Sequence, residues 1–188
     1  ARSVEESLDS RAPGTYYVYV GMKHWKPRIV ETIEVMKRDG VEKIIALVLA
    51  PHYSKISIGE YREKVEEACE KLDYHPELRF INNWHTNEDF ITCISEQLGE
   101  DPGLVIFTSH SIPERIIESG DPYKDQLLET CALIAEKRDQ PLHFEFAFQS
   151  AGRTPEPWLG PDVRTVLERL AEEGHTQITI CPIGFTAD

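Results

Sequence analysis

The feature that most constrains this chain is an alternation of two periodicities. Short runs rich in β-branched, aliphatic or aromatic residues recur as YYVYVG from Tyr16, KIIALVLAP from Lys43, LRFIN from Leu78, LVIFTSH from Leu104, LHFEFAF from Leu142 and ITICPIGF from Ile178. Each reads as a strand. Between most of them apolar residues fall at helical spacing. Ile29, Ile33 and Met36 share one face and stop at the Asp39-Gly40 turn; Val65, Ala68, Cys69 and Leu72 mark a second helix, and Phe90, Ile91, Ile94 and Leu98 a third. Leu127, Leu128, Cys131 and Ile134 give a fourth, and Val163, Val166, Leu167 and Leu170 a fifth. Pro161 and Asp162 suit the start of that last helix and Gly174 its end.

Strands that alternate with helices predict an α/β fold, and continuously apolar strands predict parallel sheets covered by helices on both faces. The expected architecture is two Rossmann-like lobes, each a parallel sheet flanked by helices. The polar segment Gly99 to Gly103 (GEDPG) is the expected hinge, giving a first lobe over 1–99 and a second over 100–188. Residues 1–14 read as an exposed lead-in or the end of a helix that began earlier.

Composition narrows the function classes. With 188 residues and 40% hydrophobic content, the chain can bury a real core. A net charge of −13 repels phosphate backbones, and no run of Lys or Arg counters it, so no nucleic acid partner is expected. The longest apolar run, Ile44 to Pro51, is too short to cross a bilayer, and the start of the chain lacks the pattern of a signal peptide. A cytoplasmic protein with no integral membrane segment is expected. Cys69, Cys93, Cys131 and Cys181 form no CxxC pair, so neither a zinc site nor a disulfide framework is indicated; they are expected to be buried thiols.

In open α/β sheets, ligands bind beyond the carboxyl ends of the strands, where loops and helix N-termini converge. Strand ends here carry Gly21-Met22-Lys23-His24, Pro51-His52-Tyr53-Ser54, Ser109-His110-Ser111, Gln149 to Arg153, and Pro182 to Phe185. Neither GxGxxG nor GxxxxGK[ST] occurs, which disfavours a dinucleotide or P-loop site, and no GxSxG elbow accompanies Ser109 or Ser111. His110 has two readings: a cap on the short helix that follows, or a neutral imidazole that binds a divalent metal or accepts a proton. His52, followed by Tyr53 and Ser54, suits structural hydrogen bonding. His24, between Lys23 and Trp25, fits either a flat anionic ligand or a plain exposed turn. His75, His85, His143 and His175 read as solvated surface. The segment DPYKDQLLETCALIAE reads mostly as architecture. QSAGRTPEPWLGPDV reads as a rigid loop, with Trp158 and Leu159 packed beneath it, that shapes either a site or a packed seam.

These motifs together resemble the ferrochelatase family. The resemblance is carried by GMKHWKP from Gly21, MKRDGVEK from Met36, LAPHYSKISIGEY from Leu49, SHSIPERI from Ser109, GDPYKDQLLET from Gly120, FQSAGRTPEPWLGPDV from Phe148 and PIGFTAD from Pro182. They occur in order over nearly the whole chain, and the KH and APHYS versions look most like ferrochelatases of Gram-positive bacteria, which act on coproporphyrin III. The resemblance implies two Rossmann-like lobes around a porphyrin cleft, and a reaction that inserts Fe(II) into coproporphyrin III or protoporphyrin IX in haem biosynthesis. It implies that His110 is the catalytic histidine, a metal ligand or proton acceptor at the ring. It also implies that Lys23 and His24 line the cleft, that Tyr61 contacts the porphyrin, and that the loop from Gln149 to Trp158 supports the cleft wall.

The implied partners are porphyrin and ferrous iron, both substrates, and a monomer is expected. Some relatives carry a cysteine for an iron-sulfur cluster after the YS of the second strand-end motif; Lys55 stands there, so no cluster is expected. The family pattern continues past PIGFTAD with a His-x-Glu whose glutamate partners the histidine. An internal fragment, inactive alone, is therefore one expectation. Two alternatives accompany this reading: a chelatase for another metal or tetrapyrrole such as cobalt, and a tetrapyrrole-binding domain without catalysis.

Overall fold

Strands and helices alternate as the periodicity predicts, and all strand pairs are parallel. The computed structural model describes residues 2–184; the end of the PIGFTAD motif, Phe185 to Asp188, lies outside the described residues. The chain divides into two compact units, one of Ala1–Leu47 and Gly59–Ile81, the other of Val48–Ile58 and Asn82–Asp188.

The first unit contains α1 (Arg2–Arg11), α2 (Ile29–Arg38), β1 (Lys43–Leu47), α3 (Glu60–Lys71) and β2 (Glu77–Ile81). β1 and β2 pair in parallel from Lys43↔Glu77 to Leu47↔Ile81. Ile29 and Ile33 of α2, Ala68 and Cys69 of α3, and Ile44 of β1 form its core. Because side chains alternate across a strand, Ile45 and Leu47 take the other face, where they are 57% and 50% exposed. The expected cover on both faces is therefore not met at β1: its helices pack on the Ile44 side.

One further expectation is corrected in this unit. YYVYVG is not a strand; Tyr16–Val20 has no ladder partner among the described residues, and Tyr17 is 70% exposed. β-propensity describes fitness for a pleated, half-buried surface, and without a neighbour the same residues stay unpaired. Residues 2–11 form a helix, α1, with no buried residue.

The second unit holds α4 (Glu88–Gln97), β3 (Leu104–His110), α5 (Glu114–Glu118), α6 (Tyr123–Glu136), β4 (Phe144–Gln149), α7 (Val163–Glu172) and β5 (Ile178–Pro182). Its sheet runs β4-β3-β5, which makes β3 the central strand. Val105 and Phe107 face a core with Leu127, Cys131 and Ile134 of α6 and Ile91 of α4, while Ile106 faces Ala147 of β4 and Val166 and Leu170 of α7. Here the two-sided burial predicted from the sequence is realised. Local signals set the helix ends: Asn87 accepts from Phe90 N at 3.0 Å to cap α4, Asp162 accepts from Arg164 N at 2.9 Å to cap α7, and Gly174 follows α7 at φ +86°.

The units do not divide at residue 99. Helix α4 packs on α6 within the second unit. The expected hinge is also tied into that unit, since Arg138 Nη2 donates to Gly99 O at 2.6 Å and Thr179 Oγ1 donates to Pro102 O at 2.6 Å. The thiols split: Cys69 and Cys131 are buried, Cys181 is half-buried and Cys93 is exposed, against the expectation that all are buried. Burial pushes the Cys181 thiol up to about 11 and the Cys131 thiol further in the same direction, so neither carries a thiolate near neutrality.

Residues 48–58 leave β1 and lie along α6. His52 Nε2 meets Thr130 Oγ1 at 2.8 Å, Tyr53 N donates to Gln126 Oε1 at 2.7 Å, and Asp121 Oδ2 accepts from Ser54 Oγ at 3.1 Å and Lys55 N at 2.6 Å. His52 thus has the structural role read from its sequence. Its neighbour His85, 5.9 Å away between ring centres, is a correction: it is buried, not solvated, and its Nε2 donates to Glu129 Oε2 at 2.9 Å. Thr130 faces the carbonyls of Gln126 at 3.0 Å and His85 at 3.2 Å, which use its single proton. His52 therefore supplies the Nε2–H, a tautomer assigned from the network.

Two predictions follow from this packing. Leu127→Ala, at a fully buried position facing Phe107 and Phe148, lowers the unfolding free energy by about 2–5 kcal/mol in urea titration. Burial, with a smaller contribution from His85, lowers the His52 pKa from 6.5 to about 3, so the native imidazole is neutral while the unfolded one protonates first. Stability attributable to His52 is then full above the unfolded pKa and is lost as pH falls from 6.5 toward about 3. The slope approaches about 1.4 kcal/mol per pH unit, and urea titrations across this range should show it flattened in His52→Gln.

Candidate active site

His110 is the last residue of β3. Alternation along the strand puts Val105, Phe107 and Ser109 on one face and Ile106, Thr108 and His110 on the other. The strand is buried from Val105 to Ser109, and His110 emerges exposed at its carboxyl end. Its ring has no hydrogen-bond partner among the described residues. The N-cap of α5 is Pro113, with no side-chain cap bond, so His110 does not cap that helix. His110 is thus an exposed imidazole on a buried strand's end, without a hydrogen-bond partner among the described residues.

The chain around His110 is firmly held. Ser111 N donates to Gln149 O at 2.8 Å and Ser111 Oγ donates to Leu159 O at 2.8 Å. Leu159 N donates to Ile112 O at 3.0 Å, and Glu114 N to Pro157 O at 3.0 Å, on either side of an antiparallel bridge between Pro113 and Trp158. The long loop between β4 and α7 thus pairs with residues 111–114. Leu159 is buried, as its sequence suggests. Trp158 Nε1 donates to Thr154 Oγ1 at 2.8 Å, and its ring lies so close to Gly152 that a Cβ there would be 2.3 Å from Cζ2. Only glycine lets the indole approach the loop backbone this way.

A buried polar group lies behind His110. The Tyr123 hydroxyl is 2.7 Å from Ser109 Oγ and 3.1 Å from the His110 carbonyl oxygen. Burial raises the Tyr123 pKa, with Asp121 adding to the rise and the Ser109 hydrogen bond opposing it, so the phenol keeps its proton. Asp121 Oδ1 accepts from Tyr123 N at 3.0 Å, which fixes the first turn of α6. Gly184 packs against Ser109 so tightly that a Cβ on it would lie 2.1 Å from the serine Oγ.

The other sequence candidates belong to the first unit. Lys23 Nζ pairs with Glu60 Oε2 at 2.7 Å and lies 5.4 Å from the ring centre of Tyr61. Lys23 and Tyr61 are therefore neighbours, and Glu60 joins them. Met22 N donates to Pro27 O at 2.8 Å and closes the loop on which His24 and Trp25 are exposed. Sequence reasoning missed Glu60 and the Ser109–Tyr123 pair. The signals were faint: Glu60 directly precedes Tyr61 in GEY, and Tyr123 follows the Asp-Pro of GDPYKD, a pattern that also reads as an ordinary helix start.

Comparison with known proteins gives these residues a context. The family model for ferrochelatase matches residues 1–188. The chain is 41% identical to a ferrochelatase of Herpetosiphon aurantiacus, over 98% of this chain and 64% of that protein. It is 44% identical to a ferrochelatase of Thermus thermophilus, over 95% of this chain and 59% of that protein. It is 38% identical to a coproporphyrin III ferrochelatase of a Geobacillus species, over 100% of this chain and 64% of that protein. The chain spans slightly less than two thirds of the length of these curated relatives. With the family match along its full length, and with parallel α/β units that present a histidine at the end of a buried central strand, the chain belongs to the ferrochelatase family.

Proposed function

We propose that the full-length protein inserts Fe(II) into coproporphyrin III in haem biosynthesis, with His110 as the catalytic residue. The observation that carries this reading is the exposed imidazole of His110 at the rigid end of β3, without a partner among the described residues. Insertion replaces two pyrrole N–H bonds by iron-nitrogen bonds and releases two protons. An unengaged imidazole can serve this in either of two ways, as a nitrogen ligand to Fe(II) while it sheds water or as the acceptor of one departing proton. Iron is a substrate here, and we take the protein to work as a cytoplasmic monomer without an iron-sulfur cluster, since Lys55 stands at the position where some relatives carry a cluster cysteine. Among the described residues no helix is long and apolar enough to cross a membrane.

Lys23, His24 and Tyr61 are the proposed porphyrin contacts. Tyr61 offers an aromatic surface and Lys23 a cation for a propionate. Glu60 already neutralises that cation, so a propionate reaching Lys23 competes with the carboxylate for it. The support for coproporphyrin III as the ring is the set of relatives that carry it in their names. In the full-length protein, His110→Ala is expected to abolish Fe(II) insertion, followed by porphyrin absorbance under reducing conditions, while circular dichroism stays unchanged. Retained turnover would remove His110 from the mechanism. Comparing kcat/KM for the two rings tests the substrate, and a preference for protoporphyrin IX would overturn coproporphyrin III.

A further inference from the structure

We propose that Tyr123 is the positioning residue for His110, gripping its main-chain carbonyl and so fixing the direction in which the imidazole leaves the strand. The proposal rests on the reading of His110 as the catalytic residue. The side chain of His110 is exposed and has no hydrogen-bond partner among the described residues, so the described groups that hold it act through its backbone. That backbone lies at the limit of the sheet. β5 pairs with β3 only as far as Thr108↔Pro182, whereas β4 continues to His110↔Gln149. Among the described residues the β5 side has no ladder past Thr108, and there the Tyr123 hydroxyl meets the His110 carbonyl at 3.1 Å.

The proton inventory gives one arrangement that satisfies every group. A phenol has a single proton, and a carbonyl can only accept it. Tyr123 therefore donates to His110 O, and its own oxygen accepts from the Ser109 hydroxyl at 2.7 Å. The chain Ser109 O–H to Tyr123 O–H to His110 C=O polarises in one direction, which strengthens each bond. Both ends are clamped. Ser109 Oγ sits in space that Gly184 leaves by lacking a Cβ, and Asp121 holds the Tyr123 main chain while also anchoring Ser54 and Lys55. The tyrosine is 8% exposed, with its ring edge-on to His52 at 6.4 Å, so the phenol is locked by packing. Tyr123 is buried and reaches His110 through its main-chain carbonyl, which is why the role is one of aim.

The test separates aim from fold. Tyr123→Phe removes the grip and leaves Ser109 without a partner, whereas Ser109→Ala combined with Tyr123→Phe removes the grip and also the stranded hydroxyl. In the full-length protein, Tyr123→Phe is expected to lower kcat for insertion on the order of tenfold to a hundredfold with KM for the porphyrin unchanged. The double variant is expected to regain the thermal stability lost in Tyr123→Phe and to keep the low kcat. In NMR spectra of the present chain, the His110 ring resonances shift in both variants while those of His24 and His75 stay in place. Recovery of kcat together with stability in the double variant would make the role purely structural and overturn the proposal, as would unmoved His110 resonances. Should His110→Ala keep its turnover, the catalytic reading fails by that measurement, while the resonances still report whether Tyr123 directs the ring.

Discussion

The burial of β3 on both faces is the constraint on which the second unit depends. Hydrogen-bonded to β4 and β5 at its edges and covered by α6 and α4 on one face and α7 on the other, the strand has no soft direction along Val105 to Thr108. Each large apolar side chain that it buries contributes about 1.5–3 kcal/mol relative to exposure, so the strand cannot slip without exposing several of them at once. This stiffness reaches the residue at its end. A ligand or base must be held to a fraction of an ångström, and a residue at the carboxyl end of a central parallel strand inherits its position from the best-packed part of the unit.

Beside this apolar core runs a polar seam in which chemistry-bearing residues do structural work. Asp121, just before α6, and Gln126 and Thr130 on it hold residues 52–55 through side-chain and main-chain hydrogen bonds. Nδ1 of His52 and Nδ1 of His85 are buried without a partner among the described residues, and charging the His52 ring would put an unsolvated cation in the interior. Desolvation keeps His52 neutral for that reason, and its imidazole serves as a hydrogen-bonding plug. The contrast with His110 is one of surroundings: the same side chain is a bolt inside the unit and, at its edge, exposed without a hydrogen-bond partner among the described residues.

In the first unit the chemistry is ionic. A protein with a net charge of −13 places Lys23 over the face of Tyr61 and against Glu60, leaving the lysine side chain only 13% exposed. Partial burial strengthens the pair relative to a surface contact, and it pre-orders the ammonium beside an aromatic plane. Under the proposed function, an anionic ring would meet a cation already committed to a carboxylate, and its binding would exchange one carboxylate for another.

Much of this was legible in the sequence. Apolar periodicity marked every helix from α2 onward except the short α5 and every strand from β1 to β5, because burial on one side of a helix or on both sides of a strand leaves a repeat that needs no knowledge of the partner. It misread YYVYVG and the outer face of β1, since a strand also needs a neighbour, and neighbours are a property of topology. The ordered motifs identified the family and pointed to His110. Position at the end of an apolar run left His110 two readings, a helix cap or an open imidazole, whereas His52 already read as structural. Tertiary structure supplied the partner of His52, Thr130, 78 residues away, and left the His110 ring without a hydrogen-bond partner among the described residues. It likewise revealed Tyr123 behind His110, because hydrogen-bond partners are selected by distance in space, which folding creates and local residue pattern does not encode.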